Sequence, residues 1–374
     1  METGGEHASL PPVPPRDDSN LNVEETLAAS SSAMDHYEGN PASAAHDSYE
    51  NQRYFEEYGK FGIHVDMLRD QSRMTSYHRA IMGNPQDFKD KVVLDVGCGT
   101  SVLSCWCARA GARKVYAVEA SSMAEQAQLV VDRNGLSDIV QIINAKMEDV
   151  NLPEQVDVIV SEWMGSFLIF ESMLETVLYA RDRYLKEDGK MYPAIARMFV
   201  APLDMTPFFQ KRIRFLRDVP DLNLAPLIPF ATTEYTYYGM RGAKCKPKHL
   251  LADGFVIKEL DIKTVTAQEL QRVSAPIAIK PKRKGTFNGW GAWFEVVFPG
   301  QTADKDVVLS TAPEQPLTHW RQDVFLLERD FEVTEEDTIT GLLRFVQNPN
   351  WKRHYNLEIS FSLREFDQYR IWST

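Results

Sequence analysis

The sequence has few of the features that mark membrane, secreted or metal-binding proteins. No apolar run approaches the about 18 residues that a membrane-spanning helix needs, and the opening METGGEHASL has no apolar segment of a signal peptide. The chain of 374 residues has four cysteines, too unevenly placed for a disulfide framework. Cys105 and Cys107 lack the further Cys or His ligands of a zinc site. We therefore predict no membrane segment, no metal, and a cytoplasmic and/or nuclear location.

Positive charge is also scarce. The formal net charge of −12 argues against general nucleic-acid binding and favours a cationic partner. In residues 1 to about 50, Arg16 is the only Lys or Arg. This polar segment cannot bury enough apolar surface to order itself, so we predict a disordered tail. Within it, Pro11–Arg16 has the P-x-x-P-x-Arg pattern of a ligand for SH3-type domains. A stiff tail without a partner is the alternative.

From Lys91 onwards, apolar strand-like runs alternate with helical segments. Such alternation predicts a parallel sheet with right-handed crossovers, and we assign residues 51–193 to this α/β domain. The predicted strands are Val92–Val96, Lys114–Glu119, Val140–Ile143 and Val156–Val160, with helices at Leu103–Ala110 and Met123–Val131.

After Pro193 the pattern changes to alternating apolar and polar residues, as in Ala292–Phe298 and Leu357–Leu363. This pattern predicts a second, antiparallel domain over residues 194–374, either a barrel or a sandwich. Residues about 205–232 interrupt it with an apolar insert of the kind that meets another surface. The basic stretches 241–249 and 280–284 are predicted to be solvated loops, with a nuclear signal or an RNA patch as the alternative.

A glycine-containing turn follows the first predicted strand. The segment from Asp95 to Gly99 contains Gly97 and opens a helix, and Glu119 ends the next strand. Glycines let a backbone approach a ligand closely, and an acid at that strand end can accept hydrogen bonds from ribose hydroxyls. The third glycine of a dinucleotide fingerprint is missing. The pattern therefore favours a nucleoside cofactor without a pyrophosphate, and S-adenosylmethionine fits best.

Two glutamates lie in the otherwise apolar run SEWMGSFLIFESML, residues 161–174. Glu162 and Glu171 have no Lys or Arg between them, and Arg181 is the first to follow. Removing an unpaired carboxylate from water costs several kcal/mol, so each glutamate needs a cation. The residues alone leave two alternatives, an internal salt bridge or a cationic ligand.

Several separate motifs, in the same order, resemble those of the type I protein arginine N-methyltransferases over residues about 50–370. The stretch Gln347–His354 looks like the SH3-carrying member of that family, although no SH3 domain precedes it in this sequence. The matching stretches are Tyr54–Tyr58, Phe61–His64, Val92–Thr100, Val118–Ala120, the segments SEWMG and ESML around the two glutamates, and Thr318–Trp320.

The resemblance implies a Rossmann-like S-adenosylmethionine-dependent methyltransferase domain followed by an antiparallel β-barrel domain with a helical dimerisation arm at about 205–232. The dimer partner would be a second copy or a related subunit. Tyr54 and Phe55 would begin a helix over the cofactor, Arg73 would pair with the methionine carboxylate, and Glu119 would hold the ribose. The implied cofactor-binding set is Tyr54, Phe55, His64, Met67, Arg73, Asp95, Gly97, Gly99, Glu119, Ala120, Glu148 and Met164.

By the same resemblance, Glu162 and Glu171 form the family's double-glutamate loop, and the missing cation is a substrate arginine. Two carboxylates can fix the guanidinium plane and leave one terminal nitrogen to attack. His319 and Asp70 would form a dyad that relays the proton lost from that nitrogen. The implied reaction gives monomethyl- and asymmetric dimethylarginine in proteins such as RNA-binding proteins or histones.

Ser101 and Ser166 depart from the family's pattern. Ser101 stands where the last glycine of the cofactor motif is usual, and Ser166 replaces a tyrosine after the first glutamate. These departures keep a second hypothesis open, namely a catalytically weak subunit that activates a related enzyme. A small-molecule methyltransferase is the third hypothesis, and the two-domain length and the acidic pair argue against it.

Overall fold

The computed structural model describes residues 42–237 and 239–373. The predicted SH3 ligand, Pro11–Arg16, and nearly all of the predicted tail lie outside the described residues. Helix α1 spans Ala42–Tyr58, so it begins before the predicted end of the tail at about residue 50. Glu50 is buried and accepts a hydrogen bond from the backbone N–H of Arg353 at 3.1 Å. This long-range contact places the Glu50 end of the predicted tail within the folded domain.

Three helices lead from α1 to the first sheet. Helices α2 (Phe61–Arg69) and α3 (Gln71–Met82) meet at Asp70. The side chain of Asp70 caps α3 by accepting a hydrogen bond from the backbone N–H of Arg73 at 3.0 Å. The short helix α4 (Pro85–Phe88) follows.

The next elements form the predicted parallel sheet. They are β1 (Val92–Val96), α5 (Val102–Arg109), β2 (Lys114–Glu119), α6 (Met123–Arg133), β3 (Val140–Asn144), the 3-10 turn Met147–Asp149, β4 (Val156–Val160), α7 (Met173–Tyr184) and β5 (Leu185–Tyr192). The strands are all parallel, in the order β3-β2-β1-β4-β5. The winding reverses between β1 and β4, which is where open α/β sheets bind ligands at the carboxyl ends of their strands.

The second half of the chain forms two antiparallel sheets. One has the order β7-β12-β10-β6-β8 with β11 paired to β10, and the other has the order β15-β14-β13-β9. For these sheets the strands are β6 (Ile195–Leu203), β7 (Met240–Ala243), β8 (Phe255–Asp261), β9 (Arg272–Ile279), β10 (Gly285–Phe298), β11 (Val307–Ser310), β12 (Gln322–Val333), β13 (Ile339–Gln347), β14 (Tyr355–Leu363) and β15 (Phe366–Ser373). The rings of Phe287 and Phe361 meet between the two sheets at 5.3 Å. The predicted α/β domain followed by an antiparallel, barrel-like domain is confirmed.

Short helical elements interrupt this second half. They are α8 (Thr206–Arg212), α9 (Ile228–Tyr237), α10 (Ala267–Gln271) and the 3-10 turns Arg214–Arg217, Ala225–Leu227, Pro247–His249 and Ala303–Lys305. The basic stretch 241–249 was predicted to be a loop, but its first residues belong to strand β7. The reason is pairing with β12, a partner about 80 residues away that the local sequence does not reveal.

The apolar insert is helical, as predicted for an arm. Its root is packed against the antiparallel domain, where Phe209 and Ile213 are buried. Other apolar side chains of the insert face solvent: Leu222 is 62% exposed and Phe230 is 76% exposed. Exposed apolar side chains on an anchored segment indicate a surface for another protein.

Two kinds of feature are absent from residues 42–237 and 239–373. No helix there is long and apolar enough to cross a membrane. No group of three or more His, Cys, Asp or Glu side chains in this part of the chain could hold a metal ion.

Candidate active site

A cavity of about 390 Å³ opens at the carboxyl ends of β1, β2 and β4, within the size range of small-molecule sites. Helix α1 borders it on one side and the Thr318–Trp320 loop borders it on another. Among the predicted site residues, Asp70 and Asp95 do not line the cavity. The predicted residues that do are Tyr54, Phe55, His64, Met67, Arg73, Gly97, Gly99, Glu119, Ala120, Glu148, Glu162, Met164, Glu171 and His319.

The glycine turn after β1 is fixed by the acid at the end of β2. Gly97 and Gly99 have positive φ values of 70° and 51°, a backbone conformation that glycine adopts without a steric penalty. The Glu119 carboxylate accepts hydrogen bonds from the N–H groups of Gly99 and Ser121, both at 2.8 Å. These two bonds hold the carboxylate at the cavity wall, with lone pairs left for hydroxyl donors.

These residues fit a nucleoside cofactor with a charged amino-acid end. Gly97 has a φ that L side chains rarely adopt, and a Cβ atom built there would lie 2.2 Å from the terminal methyl group of Met173, which would have to move, so the turn favours glycine. Glu119 and Glu148 offer carboxylate acceptors for ribose and adenine, and Arg73 offers a guanidinium for a carboxylate. Acceptors, aromatic rings and a cation in one cavity match the parts of S-adenosylmethionine.

Arg353 holds helix α1 over this cavity. Its guanidinium carbon lies 3.7 Å from the ring centroid of Tyr54, a close cation–π contact. The same guanidinium donates to Oδ1 of Asn51 at 2.7 Å and to the carbonyl oxygen of Glu171 at 2.5 Å. Because Arg353 lies between β13 and β14, one side chain joins the antiparallel domain to α1 and to the loop of Glu171.

Sequence reasoning misses Arg353 as a site residue. The Gln347–His354 stretch served only as a family marker, and Arg353 stands 182 positions after Glu171 in the chain. The sequence offers only two separate features as a signal. One is a basic turn between two strands, and the other is the pair of acidic residues in an apolar run. That signal becomes specific only when the fold brings the two segments together.

Glu162 has an internal cation. Its Oε2 accepts a hydrogen bond from Nε of Arg73 at 3.0 Å, and both side chains are about nine-tenths buried. Its Oε1 accepts the backbone N–H of Met164 at 3.2 Å. The internal salt bridge that the residues left open is therefore present for this glutamate. A guanidinium has five N–H donors, so Arg73 retains donors for the predicted contact with a methionine carboxylate.

Glu171 has no such cation. Its Oε2 accepts a hydrogen bond from the Tyr58 hydroxyl at 2.7 Å, and no Lys or Arg of the described chain forms an ion pair with its carboxylate. Burial raises the pKa of Glu171, and Glu162 adds to the rise, whereas the Tyr58 hydrogen bond and the charges of Arg353 and Arg241 oppose it. A carboxylate that burial makes costly to ionise is stabilised by a cation brought to it.

Asp70 and His319 form the predicted pair. Oδ2 of Asp70 lies 2.8 Å from both the backbone nitrogen and Nδ1 of His319. Burial acts to raise the pKa of Asp70, but the hydrogen bonds from the His319 ring and from the backbone N–H groups of Arg73 and His319 lower it overall. An ionised Asp70 behind the cavity wall thus orients the imidazole that lines the cavity.

Asp95 does not reach the cavity, which corrects its predicted direct contact with the cofactor. Successive side chains of a strand point to opposite faces, and in β1 it is Val96 that lines the cavity. The fully buried Asp95 accepts a hydrogen bond from the Ser104 hydroxyl at 2.5 Å on Oδ2. Burial raises the pKa of Asp95 to about 7. Its place is behind the glycine turn, where it supports the start of α5.

Two known protein families match this chain, and the boundary between their matches coincides with the change from the parallel sheet to the antiparallel sheets. Residues 94–192 match a family described as a methyltransferase domain, and residues 194–368 match the arginine methyltransferase oligomerization subdomain.

Among curated relatives, human protein arginine N-methyltransferase 2 is 39% identical over 319 residues, which is 85% of this chain and 74% of the relative. Protein arginine N-methyltransferase 1 of Saccharomyces cerevisiae is 38% identical over 318 residues, 85% of this chain and 89% of the relative.

Solved structures give the same result. Arabidopsis thaliana protein arginine methyltransferase 10 superposes with a TM-score of 0.75 at 34% identity, covering 86% of this chain and 99% of that one. The Trypanosoma brucei PRMT1 enzyme–prozyme heterotetrameric complex with AdoHcy superposes with a TM-score of 0.77 at 32% identity, covering 84% of this chain and 99% of that one.

The buried carboxyl group of Asp95 predicts a specific pH dependence of stability. Its pKa of about 7 in the folded chain lies above the unfolded value of about 3.9. Between these values the folded chain binds more protons, so this group lowers the free energy of unfolding as pH rises from about 4 to 7. Asp95→Asn should remove that decline, raising stability at pH 7 relative to the parent by on the order of a few kcal/mol. Urea unfolding at pH 5 and pH 7 measures the difference.

The exposed Asp138 provides a control, because Asp138→Asn should leave the pH dependence unchanged. Equal pH dependence in Asp95→Asn and the parent chain would show that Asp95 is ionised at neutral pH, contrary to this assignment.

Loss of Arg353 should weaken cofactor binding, because Arg353 holds α1 over the cavity. We expect Arg353→Ala to raise the Kd for S-adenosylhomocysteine by at least about tenfold, which corresponds to about 1.4 kcal/mol. Arg353→Lys keeps the charge but not the planar fork and should give an intermediate Kd. Titration calorimetry measures these values, with the exposed Arg329→Ala as control. Unchanged affinity in a folded Arg353→Ala variant would rule out this role.

Proposed function

The chain belongs to the protein arginine N-methyltransferase family, and we propose that it is a type I enzyme that forms monomethyl- and asymmetric dimethylarginine in protein substrates. One observation carries the proposal: Glu162 and Glu171 line the same cavity as Glu119 and the glycine turn. A cation site and a nucleoside site in one cavity are what methyl transfer to a guanidinium requires. The motif resemblance supports type I, with Arg/Gly-rich RNA-binding proteins or histones as substrates.

Each side chain of the site has a definite task in this reaction. When bound, S-adenosylmethionine supplies an electrophilic methyl group that a guanidino nitrogen displaces from sulfur. Glu162 and Glu171 hold the guanidinium and draw its positive charge away from the attacking nitrogen. His319, oriented by Asp70 at 2.8 Å, accepts the proton that the methylated nitrogen loses.

A regulatory subunit is the second candidate function, and two residues favour it. Ser101 has a φ of 64°, a left-handed conformation that costs a non-glycine residue about 1–2 kcal/mol. Ser166 lines the cavity beside the glutamate loop, where its small side chain leaves space. The Trypanosoma brucei relative is an enzyme–prozyme complex, and by analogy this chain would activate a related catalytic subunit.

We also propose that the helical arm makes the protein a dimer, with a second copy or a related subunit. The match to the oligomerization subdomain and the exposed Leu222 and Phe230 support this proposal. The cytoplasmic and/or nuclear location and the SH3 partner stay predictions from the sequence.

The glutamates provide the central functional test. Glu171→Gln should lower kcat by about 10²–10³ because it removes one preorganised charge contact to the guanidinium. It should leave the Kd for S-adenosylhomocysteine unchanged, since the Glu171 carboxylate pairs with no cation of the described chain. Glu162→Gln should lower kcat and also alter cofactor binding, because Arg73 loses its partner at 3.0 Å. Radiolabel transfer to an Arg/Gly-rich peptide measures kcat, and mass spectrometry distinguishes asymmetric from symmetric dimethylarginine.

Glu119→Ala is the contrasting variant, because it should raise the Kd for the cofactor first. Normal turnover by Glu171→Gln, or symmetric product from the parent chain, would refute the type I proposal. Two results together would establish the regulatory function. The parent chain would bind cofactor without transferring methyl groups, and both the parent chain and its Glu162→Gln variant would activate a related enzyme.

Point substitutions on the arm test the dimer better than deletion, because Phe209 and Ile213 at its root are buried. Phe230→Glu combined with Leu222→Glu should convert a dimer into a monomer by placing charges in an apolar interface. Val256→Glu, on the exposed face of β8, is the matched control. Sedimentation velocity measures the mass, and a dimer that persists in the double variant would exclude this face as the interface.

A further inference from the structure

An exposed arginine lies at the mouth of the cavity, close to the glutamate that has no internal cation. Arg241 and Gly242 of β7 line the same cavity as Glu171 and His319. The guanidinium carbon of Arg241 lies 5.1 Å from the ring centroid of Phe170, the residue directly before Glu171. A positive charge therefore stands at the entrance of a site whose proposed ligand is itself a cation.

The local backbone aims Arg241 at the cavity. Gly242 has a φ of 61°, and the pairing of β7 with β12 is irregular at this point. Such irregularities turn side chains away from the regular strand direction. The N–H of Gly242 donates to Oδ1 of Asp323 at 3.3 Å, and Nη1 of Arg321 donates to the Gly242 carbonyl at 3.3 Å. Arg321 is exposed as well and follows the His319–Trp320 loop directly. Two exposed guanidinium groups thus flank one edge of the cavity.

The guanidinium of Arg241 makes no direct ion pair in the described part of the chain, although its charge acts to lower the pKa of Glu171 and of Asp323. The contact of Arg241 with Phe170 is a single cation–π contact at an exposed site. The chain as a whole carries a net charge of −12, so a positive rim at this one edge runs against the overall field. A guanidinium presents a planar fork of donors that suits a carboxylate.

We propose, resting on the proposed function, that Arg241 binds an Asp or Glu side chain near the target arginine of the substrate. The substrate arginine enters toward Glu162 and Glu171, while its acidic neighbour pairs with Arg241 at the rim. Among arginine-containing protein segments, those with a carboxylate within a few residues of the target arginine are therefore preferred.

The alternative task for Arg241 is to occupy the cation site of Glu171 when no substrate is bound. Its guanidinium contacts the Phe170 ring and not the Glu171 carboxylate, which favours the rim assignment. The two tasks predict different preferences. A substrate contact makes the parent chain prefer Asp over Asn peptides and loses that preference when Arg241 is neutralised, whereas a plug gives no such preference in the parent chain and strengthens both kinds of peptide alike when it is removed.

The test uses fluorescent peptides that contain one arginine among glycines, with a single Asp placed at each of the three positions on either side. The Asn counterpart of each peptide is the isosteric control. Fluorescence anisotropy with the full-length chain and S-adenosylhomocysteine gives Kd values. For at least one position, the Asp peptide should bind about 1.5- to fivefold more tightly than its Asn counterpart, the worth of an exposed ion pair. This preference should shrink at high salt.

Variants at position 241 identify the source of the preference. Arg241→Gln should abolish it and Arg241→Glu should reverse it in favour of a Lys-containing peptide. Arg329→Glu makes the same charge change at an exposed site that does not line the cavity, so it should keep the parent preference.

Equal affinity of the parent chain for Asp and Asn peptides at every position would overturn the proposal, and so would a preference that survives in Arg241→Glu. Equal Asp and Asn affinities in the parent chain, with equally tighter binding of both by Arg241→Gln, would establish the plug instead. Methyl transfer is measured in parallel: an acid preference in binding without transfer would sink the enzyme proposal and leave this one standing.

Discussion

The site depends on how two like charges are stabilised in an apolar loop. The negative charge of Glu162 adds to the raised pKa of Glu171, and a buried charge without a partner is strongly destabilising. The two carboxylates have partners of different charge in the structure. Arg73 gives Glu162 a cation, whereas Tyr58 gives Glu171 a neutral hydroxyl. The remaining negative charge is therefore at Glu171, and an external guanidinium is the ligand that we propose to compensate it.

The loop that carries the two glutamates adopts a backbone that its residues do not favour, and the antiparallel domain holds it there. Its non-glycine residues with positive φ, between 44° and 73°, are Phe167, Leu168, Glu171 and Ser172. Such residues persist where the surroundings determine their conformation, and they concentrate at functional sites. Here the Trp320 indole donates to the Met164 carbonyl at 2.7 Å, and the Glu171 N–H donates to the Arg353 carbonyl at 2.9 Å. Fold and site are coupled, because contacts from the second domain set the positions of both carboxylates.

Much of the first domain could be predicted from local sequence, but the parts of the site that distant segments position could not. Buried parallel strands are continuous apolar runs, so Val92–Val96 and Val156–Val160 were predicted with their observed limits. Strand alternation could have predicted that the Asp95 side chain lies on the face away from the cavity. The motif resemblance instead implied that Asp95 contacts the cofactor. Arg353 and Arg241 acquire their positions from pairing with distant segments, and no local pattern reports such pairing. The contact of Glu50 with Arg353, 303 positions apart, is of the same kind.

The central claim is that Glu171 and Glu162 hold a guanidinium because of its charge, and a citrulline peptide tests that claim directly. Citrulline replaces the guanidinium by a neutral urea group of nearly the same size and shape. Titration calorimetry measures the Kd of an arginine peptide and of its citrulline and lysine counterparts, each for the full-length chain with S-adenosylhomocysteine bound. The account predicts measurable binding of the arginine peptide and at least about tenfold weaker binding of the citrulline peptide, since a lost charged hydrogen bond costs about 1.5–3 kcal/mol. Equal affinity for arginine and citrulline would contradict it.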